Sequence, residues 1–315
     1  MRREGSPWQG LGVVFLKELN DHLTSIRMLV LQLLVLLVPL VSLAVAIYQL
    51  QRNTAEDPFL YLRVLTGSGL SFVDLLGFLI PLMSIGLAFD AVNGEHNRRT
   101  LSRILAQPIY RDALLFGKFL AGLLTITISL ITLWLLVIGF GLIRLGIPPS
   151  GEEIGRLLIF LLVTIAYAGV WLALAMLFSI FFRSTATAAL VSLGIWLFLA
   201  LLWPAMAQLL GEVISPSDIR FAMLGLPTPA TLAWQEGLAR ISPGTLYGEA
   251  VVAMLNPDSQ SMATLLAQFQ GRIASPLPFD QSILQAWPQM VGLIAGMILL
   301  YVIGYVAFQR QEVRA

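Results

Sequence analysis

The stretch that decides the fold runs from Leu157 to Leu210 and reads LLIFLLVTIAYAGVWLALAMLFSIFFRSTATAALVSLGIWLFLALLWPAMAQLL. Its only charged residue is Arg183, which stands among hydroxyl side chains in the middle of the run. A single helix of this length would overshoot the bilayer about twofold, because an α-helix rises only about 1.5 Å per residue. The stretch therefore predicts two membrane-spanning helices, Leu157–Phe182 and Ser184–Leu210, joined by a tight turn at Arg183.

The composition of the whole chain is that of an integral membrane protein. Of its 315 residues, 57% are hydrophobic and only 12% are charged, whereas soluble domains carry about 25% charged residues. The mean hydropathy of +0.83 agrees with that class. The absence of cysteine excludes disulfides, thiolate metal sites and a cysteine nucleophile. The formal net charge of +1 argues against a dedicated nucleic-acid-binding protein.

Four further apolar segments are predicted to cross the membrane, which gives six spans and an all-α fold. A span needs roughly 20 apolar residues, and the six predicted spans are Leu29–Tyr48, Leu75–Phe89 extended outward by residues 72–74, Phe119–Ile143, Leu157–Phe182, Ser184–Leu210 and about Gln289–Phe308. The first of them follows a polar, charged stretch and is too long for the apolar region of a signal peptide. We therefore expect it to remain as an uncleaved first span.

The distribution of lysine and arginine predicts that both termini are cytoplasmic. Positively charged residues accumulate in the cytoplasmic segments of membrane proteins. With the N-terminus inside, the inner segments hold Arg2, Arg3, Lys17, Arg27, Arg98, Arg99, Arg103, Arg111, Lys118, Arg183, Arg310 and Arg314. The longer outer segments hold only Arg52, Arg63, Arg144, Arg156, Arg220, Arg240 and Arg272. The expected location is the inner membrane of a prokaryotic cell.

Two segments outside the spans are also predicted to be helical. In Trp8–Ile26, apolar residues recur at spacings of three and four while Lys17, Glu18 and Asp21 lie off that stripe, which is typical of an amphipathic elbow helix at the membrane surface. The long segment Gly211–Trp287 carries seven prolines and many apolar residues, which favours a small packed extracytoplasmic cap. The short helices predicted in that cap are Thr231–Ala239, Thr245–Leu255 and Ser259–Gln270.

The predicted organisation therefore has four parts. Residues 1–27 form the cytoplasmic N-terminus with the elbow helix, and residues 28–210 hold the first five spans with a cytoplasmic helix at about 97–107. Residues 211–287 form the cap. Residues 288–315 form the sixth span and the cytoplasmic C-terminus.

The inner segment Asn93–Lys118 is the strongest functional candidate. Its apolar residues Leu101, Ile104 and Leu105 stand at helical spacing before Pro108. Because proline lacks an N–H and disfavours the helical conformation of the preceding residue, a short basic helix should end there. Inward-facing positive charge and attraction to anionic lipid would explain the arginines alone. The apolar face favours a docking contact with a soluble partner.

The run Glu95…Thr100-Leu101…Leu105…Pro108…Arg111…Gly117-Lys118 resembles the cytosolic loop of the type-2 ABC exporter permeases, the ABC-2 family, and is most similar to its NosY-like branch. The resemblance extends to the elbow-like helix, the six spans and the run Ser242–Ala250 followed by Leu255-Asn256-Pro257. Two positions depart from the pattern, because Arg99 stands where the family often has glycine and Ile104 where it often has leucine.

The resemblance implies that this loop is the coupling helix, which seats in a separate ATP-binding subunit. The residues that would form the docking contact are Glu95, Arg98, Thr100, Leu101, Leu105, Pro108 and Arg111. It further implies a second permease copy, the same or different, and ATP with Mg²⁺ bound on the ATP-binding subunit rather than on this chain. The function implied is transmembrane export or mechanical transmission.

The sequence itself also indicates that this chain does not hydrolyse ATP. A phosphate-binding loop needs a G-x-x-x-x-G-K-[ST] pattern. Gly117-Lys118 is followed by Phe119, and Asp112 stands where the first glycine would be. We therefore expect no cofactor on this chain.

Other functions are less well supported by the sequence. A serine nucleophile at Ser68 would need a nearby general base, but His22 and His96 are predicted on the opposite side of the membrane. A secondary transporter would usually carry ionisable residues in the membrane interior, and the predicted spans carry no charge at their centres. A non-transporting membrane scaffold, whose cap recruits extracytoplasmic protein partners, stays open as an alternative.

One face of the third span carries hydroxyl side chains. Thr125, Ser129 and Thr132 follow one another at spacings of four and three, close to Gly122. Such residues commonly serve helix packing inside membranes, and this is the favoured interpretation. The functional alternative is a mildly polar translocation face.

Overall fold

The computed structural model of the chain describes residues 8, 10–52, 59–67, 71–97, 110–215, 227–255 and 278–310. These residues form helices and no strand. The helices are α1 (Leu11–Thr24), α2 (Ile26–Arg52), α3 (Leu60–Leu65), α4 (Phe72–Ala88), α5 (Asn93–Asn97), α6 (Arg111–Leu145), α7 (Gly151–Phe181), α8 (Thr185–Leu197), a π-helical turn (Phe198–Leu202), α9 (Trp203–Ile214), α10 (Pro229–Ala239), α11 (Pro243–Leu255) and α12 (Phe279–Arg310).

Six helical stretches in the described part of the chain are long and apolar enough to cross a membrane, which confirms the predicted number of spans. They are Ile26–Gln49, Phe72–Glu95, Arg111–Leu145, Gly151–Phe181, Thr185–Ile214 and Phe279–Arg310. The sixth begins at Phe279 rather than near Gln289, so it takes in residues that the sequence assigned to the cap. Pro288 does not end this helix, and Asp280 in its first turn faces the positive end of the helix dipole.

The spans alternate in direction, so the bundle has two ends. The end that holds α1, α5 and the start of α6 is called the α1 end below. The predicted turn at Arg183 lies at this end. There, Phe182 is extended and the Ser184 hydroxyl caps α8 by accepting a hydrogen bond from the N–H of Thr187 at 3.3 Å.

Helix α7 is the centre of the bundle. Its large side chains Phe160, Tyr167 and Trp171 are almost completely buried, and it contacts α4, α6, α11 and α12. Spans one, five and six are exposed along most of their length within this chain, which leaves wide apolar surfaces for lipid or other subunits.

A buried arginine ties the other end of the bundle together. Arg156 of α7 is fully buried, pairs with Glu152 at 2.8 Å and donates hydrogen bonds to the Met254 carbonyl and the Ser282 hydroxyl. Glu153, one turn earlier, accepts a hydrogen bond from the backbone N–H of Tyr61 at 2.9 Å. These bonds fix α3, α11 and the start of α12 against α7, because a buried charge is stable only when it is paired and hydrogen-bonded.

Helices α10 and α11 pack against the spans, whereas the sequence indicated a separate cap beyond them. Both form close to where the sequence placed them, whereas Ser259–Gln270 lies outside the described residues. They form a hairpin, residues 229–255, that runs back along the spans and is called the re-entrant hairpin below. The Tyr247 ring stacks on Tyr167, with ring centroids 4.4 Å apart. Since Tyr167 lies close to the middle of α7, the hairpin reaches the middle of the bundle.

A proline in the fifth span explains why the re-entrant hairpin docks there. Pro204 has no N–H, and the preceding turn is π-helical, with the N–H of Trp203 bonded to the Phe198 carbonyl. The next carbonyl in this pattern, that of Leu199, would need an N–H at Pro204. It accepts a hydrogen bond from the Ser242 hydroxyl at 2.9 Å instead. The sequence pattern predicts the fifth span but does not indicate this partner.

Candidate coupling site

Helix α1 lies closely against the start of the third span. Gly117 of α6 permits this contact, because a Cβ atom at that position would lie only 3.0 Å from Cγ1 of Val14. The helix ends at Thr24, since Ser25 is extended, and Ile26 already belongs to α2. The buried face of α1 contains Val14 and Glu18. The predicted apolar stripe is therefore only partly correct, since Glu18, which the sequence placed off the stripe, is buried together with Val14.

Four charged residues meet at this contact and are called the ion cluster below: Lys17, Glu18, Glu95 and Lys118. The Nζ atom of Lys118 lies 2.9 Å from Oε1 of Glu18 and 2.8 Å from Oε1 of Glu95. Lys17 adds a contact of 2.8 Å to Glu18 from the solvent side. Only 4% of the Lys118 side chain is exposed. One buried ammonium group thus joins α1, α5 and α6.

The electrostatics of the cluster follow from burial and pairing. Burial alone would raise the pKa of Glu18, but the charges and hydrogen bonds of Lys118 and Lys17 outweigh it and hold that pKa below its ordinary value. Burial alone would lower the pKa of Lys17, but Glu18 and Asp21 outweigh it and raise that pKa. Nearby, burial is the main cause that lowers the pKa of His22. Glu18 is therefore ionised and His22 neutral at pH 7.

A second ion pair fixes the start of the first span to the end of the second. Arg27 donates two hydrogen bonds to the Asp90 carboxylate, at 2.8 and 3.2 Å. Its guanidinium also lies over the Phe89 ring, 5.1 Å from the centroid. The two-point geometry fixes the orientation of both side chains.

The end of α7 holds the corner between α4 and α5. The Ser179 hydroxyl accepts hydrogen bonds from the backbone N–H groups of Val92 and Asn93, at 2.9 and 3.2 Å. The side-chain amides of Asn93 and Asn97 donate to the carbonyls of Phe182 and Arg183, both at 3.1 Å. The segment that leads into residue 98 is therefore attached to the turn between spans four and five.

The first turn of α6 is attached to the last turn of α12. The Gln309 side-chain amide donates a hydrogen bond to the Asp112 carboxylate. Tyr301 of α12 packs against the rings of Phe116 and Phe119, with centroids 6.0 and 5.0 Å away. Both flanks of residues 98–109 are thus connected to several spans at once.

A cavity of about 870 Å³ opens beside the ion cluster. Charged side chains of both signs form its walls, among them Glu18, Arg27 and Asp90, while Met28 and Leu172 are among its apolar lining residues. The described residues contain no group of three histidine or acidic side chains placed to hold a metal ion.

The structure locates two of the predicted docking residues. The Glu95 side chain faces inward and is bound to Lys118, so its described partners belong to this chain. Arg111 is the first residue of α6 and is half-buried. The other predicted docking residues, Arg98, Thr100, Leu101, Leu105 and Pro108, lie outside the described residues.

The hydroxyl residues of the third span are separated in the structure. Thr125 and Ser129 are buried, whereas Thr132 is exposed. Each donates a hydrogen bond to the carbonyl four residues earlier in its own helix. Beside them, a Cβ atom at Gly122 would lie 3.1 Å from the Leu172 side chain. This arrangement favours the packing interpretation over a shared translocation face.

Sequence reasoning missed the pair of Glu18 and Lys118. The position of Lys118 on its helix could have indicated this pair. The residues one turn away from it are all apolar or small and all buried: Leu114, Leu115, Ala121 and Gly122. A lysine in the middle of such a face implies an acidic partner on the helix that covers it. In the sequence, Lys118 stands directly before the predicted third span, Phe119–Ile143, which suggests a flanking charge rather than a residue of the packed face.

Comparison with known proteins agrees with this architecture. Two relatives named probable ABC transporter permease protein NosY are similar to the chain. One, from Pseudomonas aeruginosa, is 33% identical over 184 residues, which cover 56% of this chain and 60% of that protein. The other, from Stutzerimonas stutzeri, is 27% identical over 301 residues, which cover 94% of this chain and 96% of that protein. The family model described as ABC-2 family transporter protein matches residues 13–313. The chain therefore belongs to the ABC-2 transporter family and is a membrane permease subunit of an ABC transporter.

Proposed function

We propose that this permease converts ATP hydrolysis by a separate subunit into movement of its spans, which drives export or transmits force to a partner across the membrane. The single observation that carries the proposal is the ion cluster. Glu95 lies three residues before residues 98–108, the docking segment in this proposal, and its contact with Lys118 reaches Glu18 on the amphipathic helix. A displacement of the docking segment would therefore reach α1 and the third span together.

The docking segment comprises residues 98–108, with Leu101 and Leu105 as its apolar anchors. ATP and Mg²⁺ are bound by the ATP-binding subunit. Both flanks of the segment are attached to the bundle, through Asn97 on one side and Asp112 on the other. Force applied between those flanks would act on the ends of several spans.

The α1 end of the bundle faces the cytoplasm in this proposal, and both termini lie on that side. The support is the excess of arginine and lysine at this end. The permease works with a second permease copy in the inner membrane of a prokaryotic cell. Glu95 has a different role from the predicted one, because it links the docking segment to Lys118 instead of contacting the ATP-binding subunit.

The test is co-purification of the ATP-binding subunit from membranes in a mild detergent. The Leu101→Asp/Leu105→Asp variant should lose that subunit while its own membrane insertion stays unchanged, because two carboxylates would have to be buried in the contact. Ala106→Asp is the matched control, since in the predicted helix it adds a carboxylate about 100° or more away from both leucines. Retention of the ATP-binding subunit by the double variant at the wild-type level would overturn the proposal.

A further inference from the structure

The charged part of the cavity beside the ion cluster lies where two candidate spans end. Arg27 stands at the start of the first candidate span, and Asp90 and Glu95 stand at the end of the second. Lys17 and Asp21 line the cavity from α1, which precedes the first span. A bilayer around these spans would have its headgroups at about this level.

The remaining part of the cavity is apolar. Its lining there includes Met28, Leu172 and Met176. Leu172 and Met176 precede Phe181, the last residue of α7, by about 14 and 8 Å along the helix. The cavity therefore extends from the charged level into the apolar interior of the bundle.

The charges on the cavity wall favour a ligand that carries both signs. Seven charged side chains among the described residues line it, four carboxylates and three basic groups: Glu18, Asp21, Asp90, Glu95, Lys17, Arg27 and Lys118. Because carboxylates are in excess, a ligand with negative charge alone would be repelled and an ammonium group would be attracted. Since the described part of the chain offers no three acidic or histidine side chains placed for a metal ion, an organic ammonium group fits this excess better.

Charged groups of both signs stay accessible in the cavity although they are paired. The Arg27 side chain is 43% exposed beside Asp90, and the Asp21 side chain is 54% exposed beside Lys17. Arg27 uses two of its five N–H groups on Asp90, which leaves donors for a phosphate. The Asp21 carboxylate has several acceptor positions, so it can bind an ammonium group as well as Lys17.

Exposed apolar side chains flank the cavity lining. Thr24 and Ser25 line the cavity, and their neighbours in the chain, Leu23 and Ile26, are exposed. The acyl chains of a lipid whose headgroup occupied the cavity would cover such side chains. A water-soluble ligand would leave them uncovered.

We propose that this cavity binds the headgroup of a zwitterionic phospholipid, with the phosphate at Arg27 and Lys17 and the ammonium group at Asp21. Phosphatidylethanolamine has this chemistry, and pockets between spans commonly bind lipid headgroups through basic side chains. A volume of about 870 Å³ is within the usual range for ligand pockets. The inference goes beyond the proposed function, because it requires neither ATP hydrolysis nor the docking segment.

Lipid binding is measured on the full complex, purified in detergent and stripped of its lipid. Dioleoyl phosphatidylethanolamine in mixed micelles should stay bound to the permease in native mass spectrometry, and dioleoyl phosphatidylglycerol should bind several-fold more weakly. Glycerophosphoethanolamine, the same headgroup without acyl chains, should not bind at the same concentration. Equal binding of the two lipids would overturn the proposal. Equally strong binding of glycerophosphoethanolamine would overturn the assignment to a lipid and support a soluble ligand with the same two charges.

Two substitutions in α1 test whether the cavity is the site. Thr24→Trp should place an indole ring in the cavity and reduce retention of phosphatidylethanolamine several-fold. Asn20→Trp is the matched control, because Asn20 is also exposed, one turn earlier, but is not one of the residues that line the cavity. Equal retention by the two variants would contradict the proposed site.

The charge preference is tested with Asp21→Lys. This substitution leaves basic groups in excess on the cavity wall, so phosphatidylglycerol should now bind more strongly than phosphatidylethanolamine. Because Asp21 is exposed, the fold should be retained, and co-purification of the ATP-binding subunit checks this. An unchanged preference for phosphatidylethanolamine would overturn the role given to Asp21.

Failure here and failure of the proposed function can be distinguished. If phosphatidylethanolamine is not retained but the ATP-binding subunit still co-purifies, the lipid site is wrong and the coupling proposal stands. If the lipid binds as expected but the Leu101→Asp/Leu105→Asp variant keeps the ATP-binding subunit, the coupling proposal fails and the lipid site stands.

Discussion

Lys118 is a buried cation shared by two acidic side chains that belong to different helices. Replacement by methionine keeps most of the side-chain volume but leaves Glu18 and Glu95 buried without their central partner. We expect Lys118→Met to lower the free energy of unfolding by about 3 kcal/mol, the usual effect of breaking a buried ion pair from one side. Thermal or denaturant unfolding in detergent micelles measures this change.

Lys17→Met is the control for that substitution. Lys17 contacts the same Glu18 carboxylate, but 55% of its side chain is exposed. Its loss should change the free energy of unfolding by less than about 1 kcal/mol, as for other exposed ion pairs. In the complete transporter, Lys118→Met should also reduce ATP turnover more than Lys17→Met does. Equal effects of the two substitutions would contradict the role given to the ion cluster.

The ion cluster should make stability depend on pH in the acid range. The pKa of Glu18 is lower in the folded protein than its ordinary value of 4.5. Its contribution to stability is therefore complete above pH 4.5 and is lost as the pH falls through the folded-state pKa. Glu18→Gln should be less stable than wild type at neutral pH and should lose less stability below pH 4.5. The tryptophan fluorescence melting temperature as a function of pH measures the difference.

A second pH dependence of stability comes from His22 and can be distinguished from that of Glu18. Burial lowers the pKa of His22 below its ordinary value of 6.5, so the folded protein loses stability as the pH falls below 6.5 and the unfolded chain takes up a proton. His22→Gln should remove the decline that begins near pH 6.5 and leave the one below pH 4.5. If stability changed with pH in the same way in wild type, His22→Gln and Glu18→Gln, then protonation of neither side chain would be coupled to folding.

At the scale of helices, the hydrogen bond from Ser242 to Leu199 holds the tip of the re-entrant hairpin. Ser242→Ala would leave the Leu199 carbonyl without its partner in a partly buried position, and we expect a loss of about 1 kcal/mol in the free energy of unfolding. Adding Pro204→Ala supplies the missing N–H inside the fifth span. The double variant should therefore be more stable than the sum of the two single changes predicts.

The unfolding free energies of the four proteins in this cycle give the coupling between the two positions. If the coupling were zero, the missing N–H of Pro204 would not be the reason that the Leu199 carbonyl accepts a hydrogen bond from Ser242. The hairpin would then owe its position mainly to other contacts, such as the stack of Tyr247 on Tyr167.

Most helices could be predicted from sequence because each span is a long apolar run bounded by charge or turn residues. Arg183 marked the turn between spans four and five correctly for this reason. The course of α10 and α11 could not be predicted, because composition gives the length of a helix but not the partner of its polar groups. The interaction between Leu199 and Ser242 joins residues that are 43 positions apart.

The partners of the charged side chains at the coupling site could not be predicted from the sequence either. The resemblance to the ABC-2 family identified Glu95 and Lys118 as parts of one motif, but not as members of one ion cluster. Glu18 stood out only as a charge off the apolar stripe of α1. Its role depends on the direction in which α1 packs on α6, and that direction is set by the close contact of Val14 with Gly117.

At the scale of the molecule, the bundle has two different ends, the α1 end and the end that holds the re-entrant hairpin. The ion cluster, the pair of Arg27 with Asp90 and the bonds around Ser179 concentrate the polar contacts of several spans at the α1 end. Arg156 and the re-entrant hairpin fix the spans at the other end. A force applied at residues 98–108 would act on the polar contacts of the α1 end first.

The most direct test asks which side of the membrane residues 98–108 face and whether the ATP-binding subunit covers them. In the cysteine-free chain, Arg103→Cys can be labelled with a membrane-impermeant maleimide in intact cells and in inverted membrane vesicles. We expect labelling only in inverted vesicles, and reduced labelling there when the ATP-binding subunit is co-expressed. Labelling of Arg103→Cys from outside intact cells would contradict it.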